Sequence, residues 1–578
     1  MRPSIKNLLV LAPVIFLLAS CGGKKASVPV PKDAAIVMHF NMASLSSKLP
    51  WSEIKSAEWF KMIAEEAEED EEMTPLQKSL LENPENSGVD LKSDLYFFMQ
   101  VKGKNAYAVV SGKLSDAKKF ESTIQGISEM LRIKKDGSIS YLGNEEGCLT
   151  WTSNRFIFVA PTKAPGSDFG PRRRYYDEED EDEDRDEEQN FESLLQFAKD
   201  VHGLKQSNSI SSDSHFSSLM KETGDIHLFF ASNAFMQDAM GPLRMLKASS
   251  LLEGNAAGLA INFDNGKVSV NSKSWYGKEL GELMKKYQPG NLNADMLKRI
   301  PSQNLAGVLA MNYPPEGIKE FIKILGAEGL VNGFMSEAGV NIDDFVKANK
   351  GDVMVAVSDF SIKEKKITTQ IGDESYTYSD TKPDANILFA TSVKDKATFT
   401  KLMDAVKKEM NKNKNEDMET GEEEPKYVLT DSWFVMGNNQ GTIDSFAAGR
   451  NTNSAALISQ ISGHPFGGFI DLQKIFAGIS FPEEKGNWSL NERILLAAQN
   501  WENIIFYGGE MKDGATTGYF EINLKDKSTN SLKQFYSFIG QMVGEQRKNL
   551  MYRDEEVDIP PPAVMDSPVV EPKIENKK

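Results

Sequence analysis

Cysteine is nearly absent from this chain of 578 residues, which contains only Cys21 and Cys148. Two cysteines allow at most one disulfide bond, and the surroundings of Cys21 indicate another use for it, so a disulfide framework is excluded. A lone thiol can be a redox or nucleophilic group. In a predicted strand such as "EEGCLTW" it is more often a small buried apolar side chain. We predict that Cys148 is such a filler.

Histidine is also scarce, and no pair of histidines has metal-ligand spacing. The sequence contains no HExxH and no CxxC motif. His39 alternates with apolar residues in a predicted strand, which favours a half-buried structural role. We therefore predict no metal site and no cofactor. The five histidines are His39, His202, His215, His227 and His464.

The usual catalytic motifs are missing as well. No G-x-S-x-G elbow supports serine hydrolase chemistry, and no glycine-rich phosphate loop supports nucleotide binding. Paired carboxylates for glycoside hydrolysis stay open as an alternative, because 84 acidic residues could hide such a pair. Five apolar residues near the start could form a sugar platform, but their helical spacing favours a core-facing stripe. They are Trp51, Ile54, Trp59, Phe60 and Ile63.

Basic residues are fewer than acidic ones, 66 against 84, which gives a formal net charge of −18. An acidic protein repels nucleic acid, and no basic patch interleaved with aromatic residues occurs. We predict no nucleic-acid partner.

The first 20 residues have the pattern of a secretory signal peptide. Arg2 and Lys6 precede an apolar segment of 12 residues from Leu8 to Ala19. A helix that spans a bilayer needs about 20 residues, so a permanent transmembrane helix is the weaker interpretation. Without residues 1–20 the chain keeps 64 basic and 84 acidic residues, a net charge of −20.

The next residues indicate a lipid anchor. Leu18, Ala19, Ser20 and Cys21 resemble the lipobox of bacterial lipoproteins. That resemblance implies cleavage before Cys21, a diacylglycerol on its thiol and an acylated new amino terminus. Two or more acyl chains give stable membrane attachment. The alternative is an ordinary signal peptide followed by an incidental cysteine.

The residues after Cys21 favour one membrane over another. Inner-membrane lipoproteins often carry aspartate where this chain has Gly22, and some surface-exported lipoproteins carry acidic residues where it has Lys24 and Lys25. By this analogy we expect an outer-membrane protein that faces the periplasm, with surface exposure as the alternative. The expected partners are the membrane, through Cys21, and an envelope protein.

The same order of strand, turn and helix signals occurs twice along the chain. We predict an α+β fold made of two tandem homologous modules with antiparallel sheets, hairpins and interspersed helices. In both copies an aspartate, Asp116 or Asp395, precedes a phenylalanine by four residues, as a helix cap precedes a buried position. Both copies also contain a predicted hairpin with Asp-Asn-Gly or Lys-Asp-Gly at the turn.

The repeat sets the predicted boundaries. The acidic segment 171–189 lies inside the first copy and two further inserts lie inside the second, and none of them has a counterpart in the other copy; a proline-rich tail follows the second copy. We expect the acidic segment to be a solvated, disordered loop; calcium binding or docking of a basic partner is the alternative. The predicted parts are a signal peptide 1–20, a linker 21–29, module 1 at 30–290, module 2 at 298–545 with inserts at about 361–384 and 410–425, and a disordered tail 546–578.

The lipobox, the "PKDA" before the first strand and "SLSSKLPWSEIKSAEWF" are similar to a set of large lipoproteins from Bacteroidota catalogued as a domain of unknown function. That resemblance implies a location and a single fold, and it supplies no catalytic residue. We expect a non-catalytic binding or scaffolding lipoprotein whose ligand occupies a cleft between the modules. The alternatives are a carboxylate-based envelope hydrolase, and a carrier of lipids or proteins with an apolar cavity between the modules.

Overall fold

The computed structural model describes residues 28–62, 79–80, 82–103, 105–127, 132–163, 191–232, 251, 253–371, 374–412, 426–450, 455–479 and 490–542. The predicted signal peptide, Cys21, the acidic segment 171–189, most of the insert 410–425 and the tail 546–578 lie outside these residues.

Eighteen strands in the described residues form one sheet, and every pair of neighbouring strands is antiparallel. The strands are β1 (Ile36–Phe40), β2 (Leu95–Lys102), β3 (Asn105–Lys113), β4 (Lys134–Asp136), β5 (Ile139–Asn144), β6 (Gly147–Trp151), β7 (Arg155–Thr162), β8 (Ile226–Ala231), β9 (Ala256–Asp264), β10 (Lys267–Trp275), β11 (Leu305–Asn312), β12 (Asn349–Ile371), β13 (Glu374–Val393), β14 (Lys426–Leu429), β15 (Trp433–Gly437), β16 (Phe466–Asp471), β17 (Trp501–Lys512) and β18 (Ala515–Leu524).

Helices connect these strands and pack on both faces of the sheet. The helices are α1 (Met42–Lys48), α2 (Trp51–Ile54), α3 (Ala117–Ile127), α4 (Phe191–His202), α5 (Ser214–Leu219), α6 (Lys278–Lys286), α7 (Ala294–Lys298), α8 (Pro315–Ile324), α9 (Glu328–Glu337), α10 (Ile342–Ala348), α11 (Lys396–Lys412), α12 (Gln440–Ala448), α13 (Ala456–Ile461), α14 (Leu472–Ala477) and α15 (Leu490–Asn500). Residues 531–542 form a further helix, which we call the terminal helix.

The strand order of the sheet repeats between the two halves of the chain. The first half has the spatial order β6-β7-β3-β2-β1-β8-β9-β10, and the second half has β14-β15-β13-β12-β11-β16-β17-β18. The hairpin β4–β5 extends only the first half, beyond β6. The predicted α+β class with antiparallel sheets and hairpins is therefore confirmed.

The two halves join through their last strands, β10 and β18. Gly266 and Gly514 occupy the turns before these strands, both with positive φ, which glycine adopts without strain. Lys267, which follows Gly266, pairs with Asn523, and Ala515, which follows Gly514, pairs with Trp275. In both pairs the partner is the ninth residue after the other glycine. The junction is therefore symmetric under exchange of the halves, with Asn271 opposite Tyr519 at its centre.

Helices that follow the junction strands cross over to the opposite half. After β10, α6 contacts α8 of the second half. After β18, the terminal helix packs on the first half, where Tyr536 Oη donates to the carbonyl oxygen of Ile54 at 2.6 Å and its ring lies 5.1 Å from that of Trp59. Each half is thus covered by a helix from the other.

The sheet has hydrophobic cores on both faces. We call one the His39 face, because Val37, His39 and their register partners point to it; the opposite face carries Met38 and its partners. On the His39 face of the first half, α4 and α5 pack over Phe98, Val109 and Phe229. Cys148 belongs to this cluster and is fully buried. Burial raises its pKa to about 12, so the thiol stays protonated, as the filler interpretation requires.

The predicted helix starts are confirmed in both halves. Asp116 Oδ1 accepts from the backbone of Lys118 and Lys119 at 2.9 and 3.0 Å, and Asp395 Oδ1 accepts from Thr398 N at 2.8 Å. Backbone hydrogen bonds from Lys119 and Lys118 hold the pKa of Asp116 below its usual value, and hydrogen bonds from the side chain and backbone of Thr398 do the same for Asp395. The two phenylalanines four residues further on, Phe120 and Phe399, are buried.

Two other predicted features have a clear place in the structure. The predicted insert 361–384 is a hairpin arm, in which the distal part of β12 pairs with the proximal part of β13. In the predicted apolar stripe, Ile54 is fully buried and Trp51 and Phe60 pack against the same core, which favours the core-facing interpretation. Ile63 lies outside the described residues.

Candidate binding site

A cavity of about 730 Å³ opens on the His39 face of the first half. Its walls are the segment before β1, the ends of β2, β8 and β9, helix α4 and the segment that leads into α5. This volume is within the range of small-molecule sites. All of its lining residues belong to the first half. The cavity therefore does not lie between the two halves, where we expected a cleft.

Gln100 on β2 lines this cavity and is only 3% exposed. Its Nε2 donates to the carbonyl oxygens of Asp33 and Val101 at 3.4 and 3.2 Å. Because both neighbours are acceptors, the amide orientation is fixed and Oε1 faces away from them. Oε1 is buried and has no hydrogen-bond partner among the described residues. A buried acceptor of this kind is costly unless something donates to it.

The rest of the cavity combines an apolar wall with charges of both signs. Phe197, Val201 and Phe229 supply apolar surface. Lys102 lies 3.5 Å from Asp200 and 6.0 Å from the centre of the Phe197 ring. Further charges at the lining come from Lys32, Asp33 and Asp213. The arrangement suits a small molecule with an apolar part, a hydrogen-bond donor and polar or charged groups.

The second half has no matching glutamine. The equivalent residue there is Ser358. Tyr96 pairs with His39 of β1, and Met354 pairs with Ala310 at the corresponding position of β11; Gln100 and Ser358 each follow four residues later. Ser358 is buried too, but its hydroxyl donates to Asp359 Oδ2 at 2.9 Å. The unpartnered oxygen is thus a property of the first half and not of the repeated fold.

A buried histidine pair lies on the same face of the sheet. His39 on β1 and His227 on β8 are register partners, are each 4% exposed, and place their Nδ1 atoms 3.1 Å apart. We predicted that His39 would be half-buried, and it is almost fully buried instead. No metal-ligand spacing in the sequence brings these residues together; strand pairing does.

The hydrogen bonds of the pair assign its protons. His227 Nε2 lies 3.0 Å from the carbonyl oxygen of Glu222, which can only accept, so His227 carries its proton on Nε2. His227 Nδ1 then accepts from His39 Nδ1–H. His39 Nε2 lies 3.4 Å from Asp94 Oδ1. Burial lowers the pKa of His227, which favours the neutral ring.

Asp94 lies next to His39, on the side away from His227, and its side chain is exposed. Burial opposes ionisation of its carboxyl group, but the neighbouring His39 imidazole and Lys113 hold the pKa of Asp94 below its usual value. Register places Ala310 and Gly467 in the second half where the first half has His39 and His227. The fold therefore does not require the pair.

The other three histidines each have contacts of their own. His202 Nε2 is 3.0 Å from Thr150 Oγ1, and burial lowers the pKa of His202 to about 4. His215 lines the cavity and stacks on Trp275 at 5.1 Å. His464 contacts Glu510 through Nδ1 and stacks on Tyr507 at 4.2 Å.

Two properties of the described residues concern hydrolase and metal chemistry. Every carboxyl group among them with a displaced pKa is displaced downward, whereas a general acid needs a raised pKa. No group of three or more His, Cys, Asp or Glu side chains in these residues is placed to hold a metal ion. Among the same residues, no helix has the length and apolar composition to cross a membrane.

Sequence reasoning missed both Gln100 and the histidine pair. Gln100 lies in an apolar strand, "LYFFMQVK", and nothing local distinguishes it from a polar residue at the strand end. His227 alternates with apolar residues in "IHLFFA", as His39 does in "IVMHF", so both could have been assigned to a buried strand face. That β1 and β8 are neighbours is not visible in either segment.

Comparison with known proteins gives a partial match. No curated protein matches this chain. Crystal form IV of TP0453 is 11% identical, with 44% of this chain and 81% of that chain covered and a TM-score of 0.23. Crystal form III is 11% identical, with 46% and 86% covered and a TM-score of 0.24. A likeness this low carries no argument. Residues 28–166, about a quarter of the chain, match the family model described as a domain of unknown function, DUF4836.

Proposed function

We propose that this chain is a lipid-anchored, non-catalytic protein of the cell envelope that binds a small amphipathic molecule in the cavity of its first half. The anchor rests on the signal-peptide pattern and on the lipobox resemblance at Cys21. The outer membrane, facing the periplasm, is the proposed location. An envelope protein is a further proposed partner.

The observation that carries the binding proposal is the buried Oε1 of Gln100, a residue that lines the 730 Å³ cavity and whose side-chain oxygen has no hydrogen-bond partner among the described residues. A ligand N–H or O–H group would satisfy this oxygen. The apolar wall at Phe197 and Phe229 would take a hydrocarbon or ring, and the charges of both signs would suit a zwitterionic or polar head. No nucleotide, nucleic acid or cofactor is part of this proposal.

The binding proposal is tested by extracting the ligand from the purified protein. The native protein, isolated from membranes, is denatured and the released small molecules are identified by mass spectrometry. Gln100→Met keeps the side-chain length and removes the acceptor, so we expect the released amount of the specific molecule to fall about tenfold, the loss of a hydrogen bond to a buried group.

Ser358→Ala is the matched control, because Ser358 has the equivalent position in the second half. It should leave the released amount unchanged. The same yield from Gln100→Met as from the native protein, with both variants folded, would contradict the proposed site. A native protein that releases no small molecule would do the same.

The anchor is tested separately by Cys21→Ser. We expect this change to release the protein from the membrane fraction or to block its maturation, since no acyl chain can then be attached. Cell fractionation and mass spectrometry of the amino-terminal peptide measure this. Unchanged membrane retention of Cys21→Ser would exclude lipid anchoring through this residue.

A further inference from the structure

The His39–His227 pair adds a side-chain hydrogen bond to the backbone ladder between β1 and β8. The backbone N–H of Asn41 donates to the carbonyl oxygen of Asp225 at 2.8 Å, and the register moves from this pair to His39 and His227 in two steps. Hydrogen-bonded and non-hydrogen-bonded pairs alternate along antiparallel strands, so His39 and His227 are again a hydrogen-bonded pair. Their rings, with Nδ1 atoms 3.1 Å apart, therefore connect the two strands at a point where the backbones are also connected.

The pair has room for one added proton and not for two. His39 already carries its proton on Nδ1, so an added proton on its Nε2 would lie 3.4 Å from the carboxylate of Asp94, an opposite charge. The other free position is His227 Nδ1, which accepts from His39. A proton there would direct two N–H groups at each other across 3.1 Å, which leaves no space for both hydrogens. The second proton can enter only if the rings separate.

The carboxylates nearest His227 are already paired. Asp225 favours charge on His227, but it forms an ion pair with Lys48. Glu222 forms an ion pair with Lys273 and directs only its carbonyl oxygen at His227. Neither carboxylate is free to balance a second positive charge on the pair. The titratable and charged side chains that face the pair are Asp94, Tyr96, Lys113, Lys48, Asp225, Glu222 and Lys273.

Strand β8 carries both the pair and part of the cavity wall. Phe229 and Ala231 follow His227 by two and four residues on the same face, and both line the cavity. Val37 on β1 is the register partner of Phe229. A separation of β8 from β1 at the histidines would therefore displace this wall.

We propose that the His39–His227 pair is an acid-sensitive clasp, which holds β8 on β1 at neutral pH and opens the cavity wall when a second proton is added. This regulation rests on the proposed ligand site, whereas the opening of the strands does not. In the open form both rings reach water and bind protons as ordinary histidines do, so the open form carries one proton more than the closed form. Opening therefore becomes more favourable as the pH falls below about 6.5, by about tenfold for each pH unit.

Hydrogen exchange of the full chain, purified from membranes in detergent, tests the clasp without any ligand. The opening constant of an amide is its measured exchange rate divided by the rate of the unprotected amide at the same pH. Between pH 6 and pH 4.5 we expect the opening constant of Phe229 to rise about tenfold per pH unit. Phe469 is the internal control, because it has the same place in the second half, next to Ala310 and Gly467 instead of the histidines. Its opening constant should stay constant.

Two variants separate the clasp from other effects of acid. His227→Gln keeps a donor for the carbonyl oxygen of Glu222 but cannot take the second proton, so the pH dependence at Phe229 should disappear. His202→Gln is the matched control; it removes the other histidine whose pKa is lowered by burial and should leave the pH dependence at Phe229 unchanged.

Asp94→Asn tests the pair from its exposed side and leaves both rings in place. The Asp94 side chain is 53% exposed, so this change does not disturb the core. It removes the charge that balances a protonated His39, and we expect the opening constant of Phe229 at pH 5 to exceed that of the native protein several-fold.

Four results would overturn the inference. The first two are an opening constant of Phe229 that does not change with pH, and an equal change at Phe469, which would mean that the sheet opens as a whole. The others are a pH dependence that persists in His227→Gln or disappears in His202→Gln, and an unchanged opening constant in Asp94→Asn. Because the assay contains no ligand, its failure is separate from a failure to recover a small molecule from the native protein.

Discussion

Protonation of His202 opposes folding, because the folded chain surrounds this imidazole with groups that disfavour its charge. Burial is the main cause of its low pKa, about 4, and the nearby charge of Arg155 acts in the same direction. Thr150 Oγ1, at 3.0 Å from Nε2, also lies 3.2 Å from the carbonyl oxygen of Ile157 and donates to it, so it accepts from the imidazole. His202 is held neutral at pH 7 by this arrangement.

Stability should fall as the pH drops from about 6.5 to about 4. In this window the unfolded chain, with an ordinary histidine pKa near 6.5, binds a proton that folded His202 does not, so the free energy of unfolding decreases as the pH falls. The full effect is roughly 3 kcal/mol. His202→Gln keeps a donor for Thr150 and removes the titration. Urea unfolding at pH 7 and pH 4.5 should show a smaller difference for this variant.

Burial also lowers the pKa of His227, so part of the pH dependence should persist in His202→Gln. His215→Gln is the control, since it replaces a histidine that stacks on Trp275 at the cavity. An identical pH dependence in native protein and His202→Gln would show that His202 does not supply the effect.

At this scale the sequence predicted what depends on a few neighbouring residues. The helix caps at Asp116 and Asp395 follow from local hydrogen bonding, and a lone cysteine in an apolar strand is usually filler. Gln100 and the His39–His227 pair depend on which strands are neighbours. The energy that selects those neighbours is distributed over the whole sheet, and no local pattern contains it.

At the scale of single elements, hairpins were the most predictable feature. The strands β9 and β10 flank Asp264–Asn265–Gly266, and β17 and β18 flank Asp513–Gly514, as the turn residues indicated. The length of β12 and β13 was not predicted. The insert 361–384 has mixed polar composition, and its strand pairing depends on continuation of the adjoining sheet strands.

The distal part of this arm should contribute little to stability. From Glu364 to Thr381 the two strands pair only with each other in the register already described, and a ribbon of two strands is only marginally stable alone. Replacing residues 364–381 by Asn-Gly joins Lys363 to Lys382, which are register partners, through a two-residue turn. The melting temperature should change by no more than about 2 °C, the equivalent of under 1 kcal/mol.

Ile362 stays in this variant, because its backbone N–H donates to Gly478 at 2.7 Å and it forms a bridge with Ile479. Deleting three further residues on each side would remove that contact and should be destabilising by comparison. A large loss of melting temperature from the shorter deletion alone would mean that the arm supports the rest of the sheet.

For the molecule as a whole, the repeated order of elements was visible in the sequence, but the way the halves join was not. The symmetric pairing of β10 with β18 requires two edge strands that match each other, and each also pairs within its own hairpin. The packing of α6 on the second half and of the terminal helix on the first half adds contacts that the sequence pattern of one half does not reveal. The boundaries at residues 290 and 298 therefore stay a prediction of where one sequence repeat ends and the next begins. They are not a prediction that either half folds alone.

The exchanged terminal helix should stabilise the first half more than the second. Besides the Tyr536 contacts, Leu532 packs into the core that contains Ile54, and Lys533 forms an ion pair with Glu53. A chain that ends at residue 525 loses these contacts and leaves Ile54 and Trp59 without their cover. Removing large, partly buried aromatic and aliphatic groups that cover a core costs a few kcal/mol, about 2 to 5, so we expect a melting temperature lower by 5 °C or more.

Hydrogen exchange locates this effect, and a chain that ends at residue 545 is the control. In the shorter chain, amides of residues 42–62 should lose protection while those of β16 in the second half keep it, because α1, α2 and residues 58–62 lie beneath the terminal helix. The control retains the terminal helix and should match the full chain. Uniform loss of protection in both halves would show instead that the sheet opens as one unit, and unchanged protection at 42–62 would exclude a stabilising role for the exchanged helix.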